Sequence, residues 1–544
     1  MNVRHAWRLW LLTASVVMGT GCSRGESVAP PAPQGGPADV QAGVQVLTRG
    51  PVHEAFAETV TFDPDAGIVV AKAPPAAIEE VPPDQRPEGE NVAWIPGYWA
   101  WDDERSDFLW ASGIWRALPP GRQWVPGYWG KTDQGFQWAS GYWADAQATE
   151  VEYLPEPPAT VEAGPNIAAP SADQIWIPGC WVRYQGRYAW RPGYWAAAQQ
   201  DWVWVPAHYV WARRGYVYVG GYWDYSIGRR GVLFAPVYFD AGVYARQGFY
   251  YSPSIVIDLG VFADCLFLRP SYGHYYFGDY YAASYSDAGY YAPYSYYSGR
   301  HGYDPIYTHQ RWEHRADRDW DRRVETDFRH RRDHEDARPP RTLAAQRRLI
   351  TSEVRSETPR HVIAVPLAQV ATRKDSPTRF RPVAKEERQV LGQHGQEVRK
   401  FREERQKVET RALDTPEAPA GKPPKVLEPP KVRLPRSPIV AKPAPELDKH
   451  QAPPETPRAP TPDPKVEPRP RPTRGRPDSP KSEPKVKTPE PAPEPPKAKR
   501  EPKVKTPEPA PEPPKGKSKE ETEGESKGKS KEETEGEPKG KSRH

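Results

Sequence analysis

Hydrophobic and polar residues follow a different rhythm in each stretch of the chain, and these rhythms divide it into elements. From Trp94 onward a six-residue unit with an aromatic residue at each end recurs: WIPGYW at 94–99, WASGIW at 110–115, WVPGYW at 124–129 and WASGYW at 138–143. After a Pro/Ala/Glu-rich break at 146–173 it resumes as WIPGCW at 176–181, WRPGYW at 190–195, WVPAHY at 204–209 and YVGGYW at 218–223. The units start 16, 14 and 14 residues apart in the first group and 14 apart throughout the second. A fixed period of this kind marks a repeat architecture. Each unit is too short for a helix and is centred on Pro, Gly or a small residue, whereas the flanking aromatic and β-branched residues favour extended chain. Turn chemistry at Thr132-Asp133-Gln134-Gly135, Tyr184-Gln185-Gly186-Arg187 and Ala212-Arg213-Arg214-Gly215 joins the aromatic runs. The expected fold is mainly β, an antiparallel meander of Trp/Gly repeat hairpins over 94–240. Because side chains alternate along a strand, two tryptophans five apart point to opposite faces unless a bulge or kink at the Pro-Gly step intervenes.

The flanks carry weaker patterns. Residues 51–93 contain two apolar runs, Val60-Thr61-Phe62 and Ile68-Val69-Val70, then a proline-laden lead-in, which predicts one or two strands. Residues 241–307 are crowded with Tyr and Gly around an apolar stretch from Ser254 to Leu268 and extend the β body. Over 308–337 Trp312, Ala316, Trp320, Val324 and Phe328 recur at every fourth position among charges, which predicts an amphipathic helix stopped by Pro339-Pro340. A mixed helical region spans 342–412. One helix is expected near 342–356 and another over 385–412, where Leu391, Val398, Phe401 and Val408 form a heptad-like seam that Gly392 and Gly395 weaken. From 413 to 544 the chain is dominated by Pro, Lys and Glu, with tandem copies of EPKVKTPEPAPEPPK at 483–497 and 501–515. Lacking apolar surface to offset chain entropy, this tail is expected to stay disordered.

Composition adds limits. Sixty-eight prolines exclude one continuous core for all 544 residues. Basic and acidic residues number 76 and 71, a near balance without the field of a nucleic-acid binder, so no nucleic-acid partner is expected. The N-terminus is more specific. Arg4 and Arg8 precede an apolar run from Leu9 to Met18 that ends in Gly19-Thr20-Gly21-Cys22, the layout of a signal peptide over 1–22. That run is about half the ~20 residues a spanning helix needs. Its end resembles a bacterial lipobox, with Thr20, Gly21 and Cys22 matching and Gly19 standing where leucine or valine is usual. The resemblance implies a diacylglyceryl anchor on Cys22 and, with Ser23 next, sorting to the outer membrane. A periplasmic or secreted form is the alternative. Residues 23–50, rich in Pro, Ala and Gly, would then be a tether.

The aromatic units resemble the YXWGXW repeat family of bacterial envelope proteins, as Tyr188, Trp190, Gly193 and Trp195 illustrate. The likeness covers residues 90–240 and implies an envelope setting without a defined activity. WVPAHY departs from it, with Ala207 at the glycine position and Tyr209 at the closing tryptophan.

Candidate chemistry is sparse. Trp99, Trp115, Trp129, Trp143, Trp181, Trp195 and Trp223 are candidates for stacking on envelope glycans; the competing reading makes them core, each burying on the order of 200 Å². Cys180 and Cys265 are a candidate disulfide in an oxidising compartment. His330-Arg331-Arg332-Asp333-His334 looks like an inverted zinc-protease motif but has Asp for the usual Glu and no third ligand, so it reads as a solvated charged face. No catalytic residue, metal or cofactor is expected. The first expectation is a non-enzymatic envelope lipoprotein with a structural or adaptor role, its partners the membrane and other envelope proteins. A glycan-binding envelope protein is the alternative, and a cell-wall hydrolase the third.

Overall fold

The computed structural model describes residues 40–352, 362–373, 378–411 and 431–442. All belong to the first of two units, Met1–Pro460; the second is Thr461–His544. The signal segment with Cys22, and the tandem copies of the tail, lie outside the described residues.

The eight aromatic units pair two by two into four hairpins. In the first, Val92–Ile95 pairs Ile114–Ala117 and Tyr98–Asp102 pairs Asp107–Ala111. In the second, Arg122–Val125 pairs Tyr142–Asp145 and Tyr128–Thr132 pairs Gly135–Ala139. The third joins Gln174–Ile177 to Tyr194–Ala197 and Cys180–Tyr184 to Arg187–Arg191. The fourth joins Trp202–Val205 to Tyr222–Tyr225 and His208–Ala212 to Gly215–Val219. All three expected turns close hairpins. Gln185 and Gly186 both have positive φ, 48° and 79°, the two left-handed residues that a tight turn matched to strand twist requires.

Each strand is interrupted at its central two residues, yet the register runs on: Ile95 faces Ile114 and Tyr98 faces Ala111, with no residue inserted on either side. The interruption is therefore a symmetric kink and not a bulge. It places the tryptophans in cross-strand pairs, Trp94 with Trp115, Trp99 with Trp110, Trp124 with Trp143 and Trp129 with Trp138, at ring separations of 5.1–5.2 Å. Tilted and edge-on contacts of this kind are worth about 0.5–1.5 kcal/mol each beyond the area they bury.

The meander is realised as separate hairpins. Among the described residues no ladder joins one repeat hairpin to another; outside strands serve the edges instead. Val237–Phe239 lies between Val44–Val46 and Asp107–Ala111, Gly231–Val232 adds to Ile114–Ala117, and Val69–Val70 adds to Gly135–Ala139. Side-chain links join hairpins directly: Arg116 Nη2, fully buried in the first, donates to both Asp224 oxygens of the fourth at 2.6 and 2.7 Å. The first, second and fourth hairpins share one core with the Tyr-rich region, whose strands Leu266–Arg269 and His274–Phe277 are buried throughout. The third stays at the margin with its tryptophans half-buried.

Three boundaries differ from expectation. The tether 23–50 ends early, because Val46, Leu47, Thr48 and Arg49 are buried and Gly50–Pro51 pairs His274–Phe277. The charged helix is two, Pro305–Glu313 and Trp320–Asp333, with the Asp317 carboxylate accepting from the Asp319 amide in the break. Within 413–544, Lys431–Arg433 pairs Glu150–Glu152, and Leu434, Ile439 and Ala441 are buried. That stretch, KVRLPRSPIVA, has the apolar residues that its surroundings lack. The helix Lys385–Thr410 runs unbroken through Gly392 and Gly395 and buries Val398 and Phe401.

Candidate functional site

A kinked strand leaves backbone groups without ladder partners, and buried groups of that kind must be satisfied elsewhere. In three of the hairpins a glutamate does so. Glu80 lies in the first kink, where its Oε1 accepts from Trp110 Nε1 at 3.0 Å and Gly113 N at 2.9 Å and its Oε2 accepts from Gly97 N at 2.6 Å. Glu54 lies in the second, where Trp138 Nε1 and Gly141 N each donate to it at 3.1 Å. Glu162 lies in the third, accepting from Trp176 Nε1 at 3.1 Å and Gly179 N at 2.5 Å. The recurring unit is W-x-x-G: an indole N–H and the amide three residues later converge on one carboxylate. All three glutamates are buried. Burial pushes the Glu54 carboxyl up to about 8 and Glu80 up to about 7, against the pull of these N–H donors.

The glycines are required by close approach. A Cβ on Gly113 would lie 2.6 Å from Trp94 Cζ2 and 2.7 Å from Glu80 Oε2, and one on Gly127 would lie 2.5 Å from Trp138 Cζ2 and 2.6 Å from Glu54 Oε2. Gly179 and Gly193 meet Trp190 and Trp176 at 2.4 Å in the same way. The orphaned carbonyls have complementary partners. Arg405 Nη1, from the helix Lys385–Thr410, donates to Pro126 O and Ser140 O at 2.9 Å, and His53 Nε2 lies 3.2 Å from Pro96 O. Glu409 pairs Arg405 at 2.8 Å and accepts from Tyr128 and Tyr153 hydroxyls.

In the first and third hairpins the glutamate arrives on a segment that two further indoles grip by the backbone. In the first hairpin Trp99 Nε1 donates to Ala76 O at 2.9 Å and Trp115 Nε1 to Gln85 O at 3.0 Å. In the third, the corresponding Trp181 and Trp195 donate to Ala159 O at 3.1 Å and Ile167 O at 3.2 Å. The two gripped segments are similar in sequence, Pro74-Pro75-Ala76-Ala77-Ile78-Glu79-Glu80 and Pro157-Pro158-Ala159-Thr160-Val161-Glu162, each a Pro-Pro-Ala step followed by a glutamate four or three residues after the alanine. The fourth hairpin is different. With Ala207 and Tyr218 in its two units neither is W-x-x-G, the Trp204 indole N–H is buried without a partner, and Glu58 there bonds His208 Nε2 at 3.1 Å and the Tyr222 hydroxyl at 2.7 Å.

Segments 90–116, 124–144, 172–196, 187–208, 200–224 and 213–229 match the family model of the WXXGXW repeat. These hairpins belong to the WXXGXW repeat family. Comparison with curated proteins and with solved structures finds no match. In structural terms the WXXGXW unit is half of a kinked hairpin; in one unit of each of three hairpins its first tryptophan and its glycine form the carboxylate clamp, and in the first and third hairpins its last tryptophan holds a neighbouring backbone.

The residues singled out from sequence fall unevenly on this frame. Trp99, Trp115, Trp129 and Trp143 are buried, at 6%, 0%, 9% and 1% exposure, so the glycan-stacking expectation is corrected for these four: their faces are taken up by partner indoles and core. Trp181, Trp195 and Trp223 are half-buried. The candidate disulfide is also corrected. Cys180 and Cys265 are both free and occupy separate clusters, Cys180 with Leu154, Ala207 and Tyr209, and Cys265 in the main core. Burial pushes their thiols up to about 12 and about 11. His330 and His334 lie with rings 4.4 Å apart, and among the described residues no group of three or more His, Cys, Asp or Glu is placed to hold a metal ion. Sequence reasoning missed Glu54, Glu80 and Glu162. One signal was present: Glu80 and Glu162 each stand fourteen residues before the first tryptophan of their hairpin, Trp94 and Trp176, which is the repeat period.

Proposed function

We propose that this WXXGXW protein is a non-enzymatic envelope lipoprotein with a structural or adaptor role, anchored through Cys22. The observation that carries this reading is the use made of its buried carboxylates. Glu54, Glu80 and Glu162, all buried, take their hydrogen bonds from hairpin backbone and indoles and so act as fasteners. The signal-like segment and the lipobox resemblance support export and anchoring, and among the described residues no helix is long and apolar enough to cross a membrane. Metabolic labelling with a lipid analogue tests the anchor: the wild-type chain takes up label and Cys22→Ser does not, and equal label on both refutes it. A pull-down from envelope extract with the full chain tests the adaptor role, with specific capture of envelope proteins as the expected result.

A glycan-binding role is the second reading, favoured by one feature. A cleft of about 590 Å³ between the third hairpin and the charged helices is lined by Trp176, Trp195, Tyr294, Tyr307, Trp312 and Trp320. Aromatic rings there offer stacking faces, and stacking survives high salt where charge-driven association weakens. Co-sedimentation of the full chain with isolated wall material at low and high salt tests it: salt-resistant binding lost on Trp195→Ala supports the reading, and release by salt rejects it.

A further inference from the structure

The third hairpin differs from the first in what covers its bound segment. At the first hairpin Ile78 and Glu80 are sealed in, with the Arg399 guanidinium from the helix Lys385–Thr410 bonding Glu79 and the Ile78 carbonyl. At the third, Pro155, Glu156, Pro158, Ala159, Val161 and Ala163 are exposed, and Glu162 alone is driven inward. Most of the contacts that hold the segment are ones a chain of like composition can make; besides them Thr160 N donates to Asp63 Oδ1 at 2.8 Å, and Gly164 N, at a left-handed φ of 84°, to Glu162 Oε1 at 2.9 Å. Two indoles hold main-chain carbonyls, one clamp holds a carboxylate, and the hydroxyls of Tyr188 and Tyr297 bond Pro155 O and Glu162 at 2.6 and 3.0 Å. Apart from the tyrosine, indole, Gly179 amide and internal Gly164 amide bonds to the carboxylate, none of these contacts reads a side chain of the segment. Proline and alanine suit such a groove because they keep the chain extended and spare it ordering entropy.

We propose that the third WXXGXW hairpin is a peptide-docking site for extended proline- and alanine-rich segments of another protein that carry a glutamate three or four residues after the gripped backbone carbonyl. The chain's own 155–167 occupies the site as a built-in ligand. The occupant follows from charge complementarity and from repetition. A buried cradle of indole and amide N–H groups is complementary to a carboxyl group, and a Pro-Pro-Ala segment followed by a glutamate is gripped by indole and amide N–H groups on two hairpins of one chain. This rests on the adaptor reading and gives it a partner chemistry. Because the internal segment is tethered, it competes at an effective concentration near the millimolar range, so an outside peptide gains access when the internal glutamate is lost or when the partner offers several copies.

The test uses the full chain and a labelled synthetic peptide of residues 155–168. The Glu162→Ala chain, checked for an unchanged fold by near-ultraviolet circular dichroism and melting, should bind the peptide saturably in fluorescence anisotropy, and wild type should bind it at least about tenfold more weakly. A peptide with Gln in place of its glutamate should lose about tenfold or more, because charge-assisted hydrogen bonds are replaced by neutral ones. Trp176→Phe added to Glu162→Ala keeps a packing ring but removes the indole donor, and should weaken the wild-type peptide comparably. No saturable binding to the folded Glu162→Ala chain, or equal binding of the Glu and Gln peptides, overturns the docking site. The adaptor role then stands or falls on the envelope pull-down alone.

Discussion

The kink glycines and the glutamates are one device at the scale of single residues. Glycine leaves the space into which the cross-strand indole and the carboxylate fit, so Gly113→Ala should be destabilising by about 1–3 kcal/mol or more through overpacking, read as a shift in denaturant midpoint. Its clash is with a ring and a carboxylate that are both buried, leaving no flexible end to yield. The same burial sets a pH profile. Glu80 and Glu54 hold protons in the native chain up to about 7 and about 8 where an unfolded glutamate releases them near 4.5, so their stabilising contribution is lost as pH rises through those values. His53 and His274 are buried and pushed down to about 3, and refuse protons that unfolded histidines take near 6.5, so their contribution is lost as pH falls below that value. Together the four groups give a plateau between about 4.5 and about 6.5 with a decline on each side. Thermal melts across pH check this, and Glu80→Gln should flatten the alkaline limb.

For whole elements, the hairpins depend on what lies across them. The helix Lys385–Thr410 brings Arg405 to the carbonyls of the second kink while Glu409, one turn on, neutralises it; both side chains are fully buried. Removing one member of such a pair strands the other charge, so Arg405→Ala should be destabilising by about 3–5 kcal/mol in chemical denaturation. Replacement of both by apolar residues should cost much less. The helix was legible from Val398 and Phe401 and its end from composition. Its function was not, since the arginine that matters looks the same in sequence as Arg402 beside it or Arg411 beyond it. The hairpins were legible for the opposite reason: aromatic ends, a central Gly and a fixed period all pointed to strands.

Over the whole molecule, the body is closed by a piece of chain far from it in sequence. Residues 431–442 lie along the second hairpin, where Ser437 Oγ donates to Trp124 O at 2.6 Å and Ala441 N to Arg122 O at 2.8 Å. A chain ending after Lys442 should melt as the full chain does, whereas one ending after Pro430 should lose about 3 kcal/mol or more from the exposure of Leu434 and Ile439 and should show altered tryptophan fluorescence. Calorimetry and emission spectra on the two truncations distinguish these outcomes.

The sequence by itself determined what is local and periodic: the repeat unit, the turns between units, the mainly β class and the family. Each of these depends on residues within a few positions of one another, where propensity and period are readable. Only the tertiary structure decided which strands pair across hairpins, that Trp115 and Trp143 are core while Trp181 and Trp195 remain half-buried, and that Cys180 and Cys265 stay apart. It also decided that unremarkable glutamates in proline-rich stretches fill the kinks. The physical reason is that a kink's orphaned N–H groups specify the chemistry of their partner but not its place in the chain, and a carboxylate reaches the second kink from seventy residues upstream of Trp124 as readily as it reaches the first from fourteen upstream of Trp94.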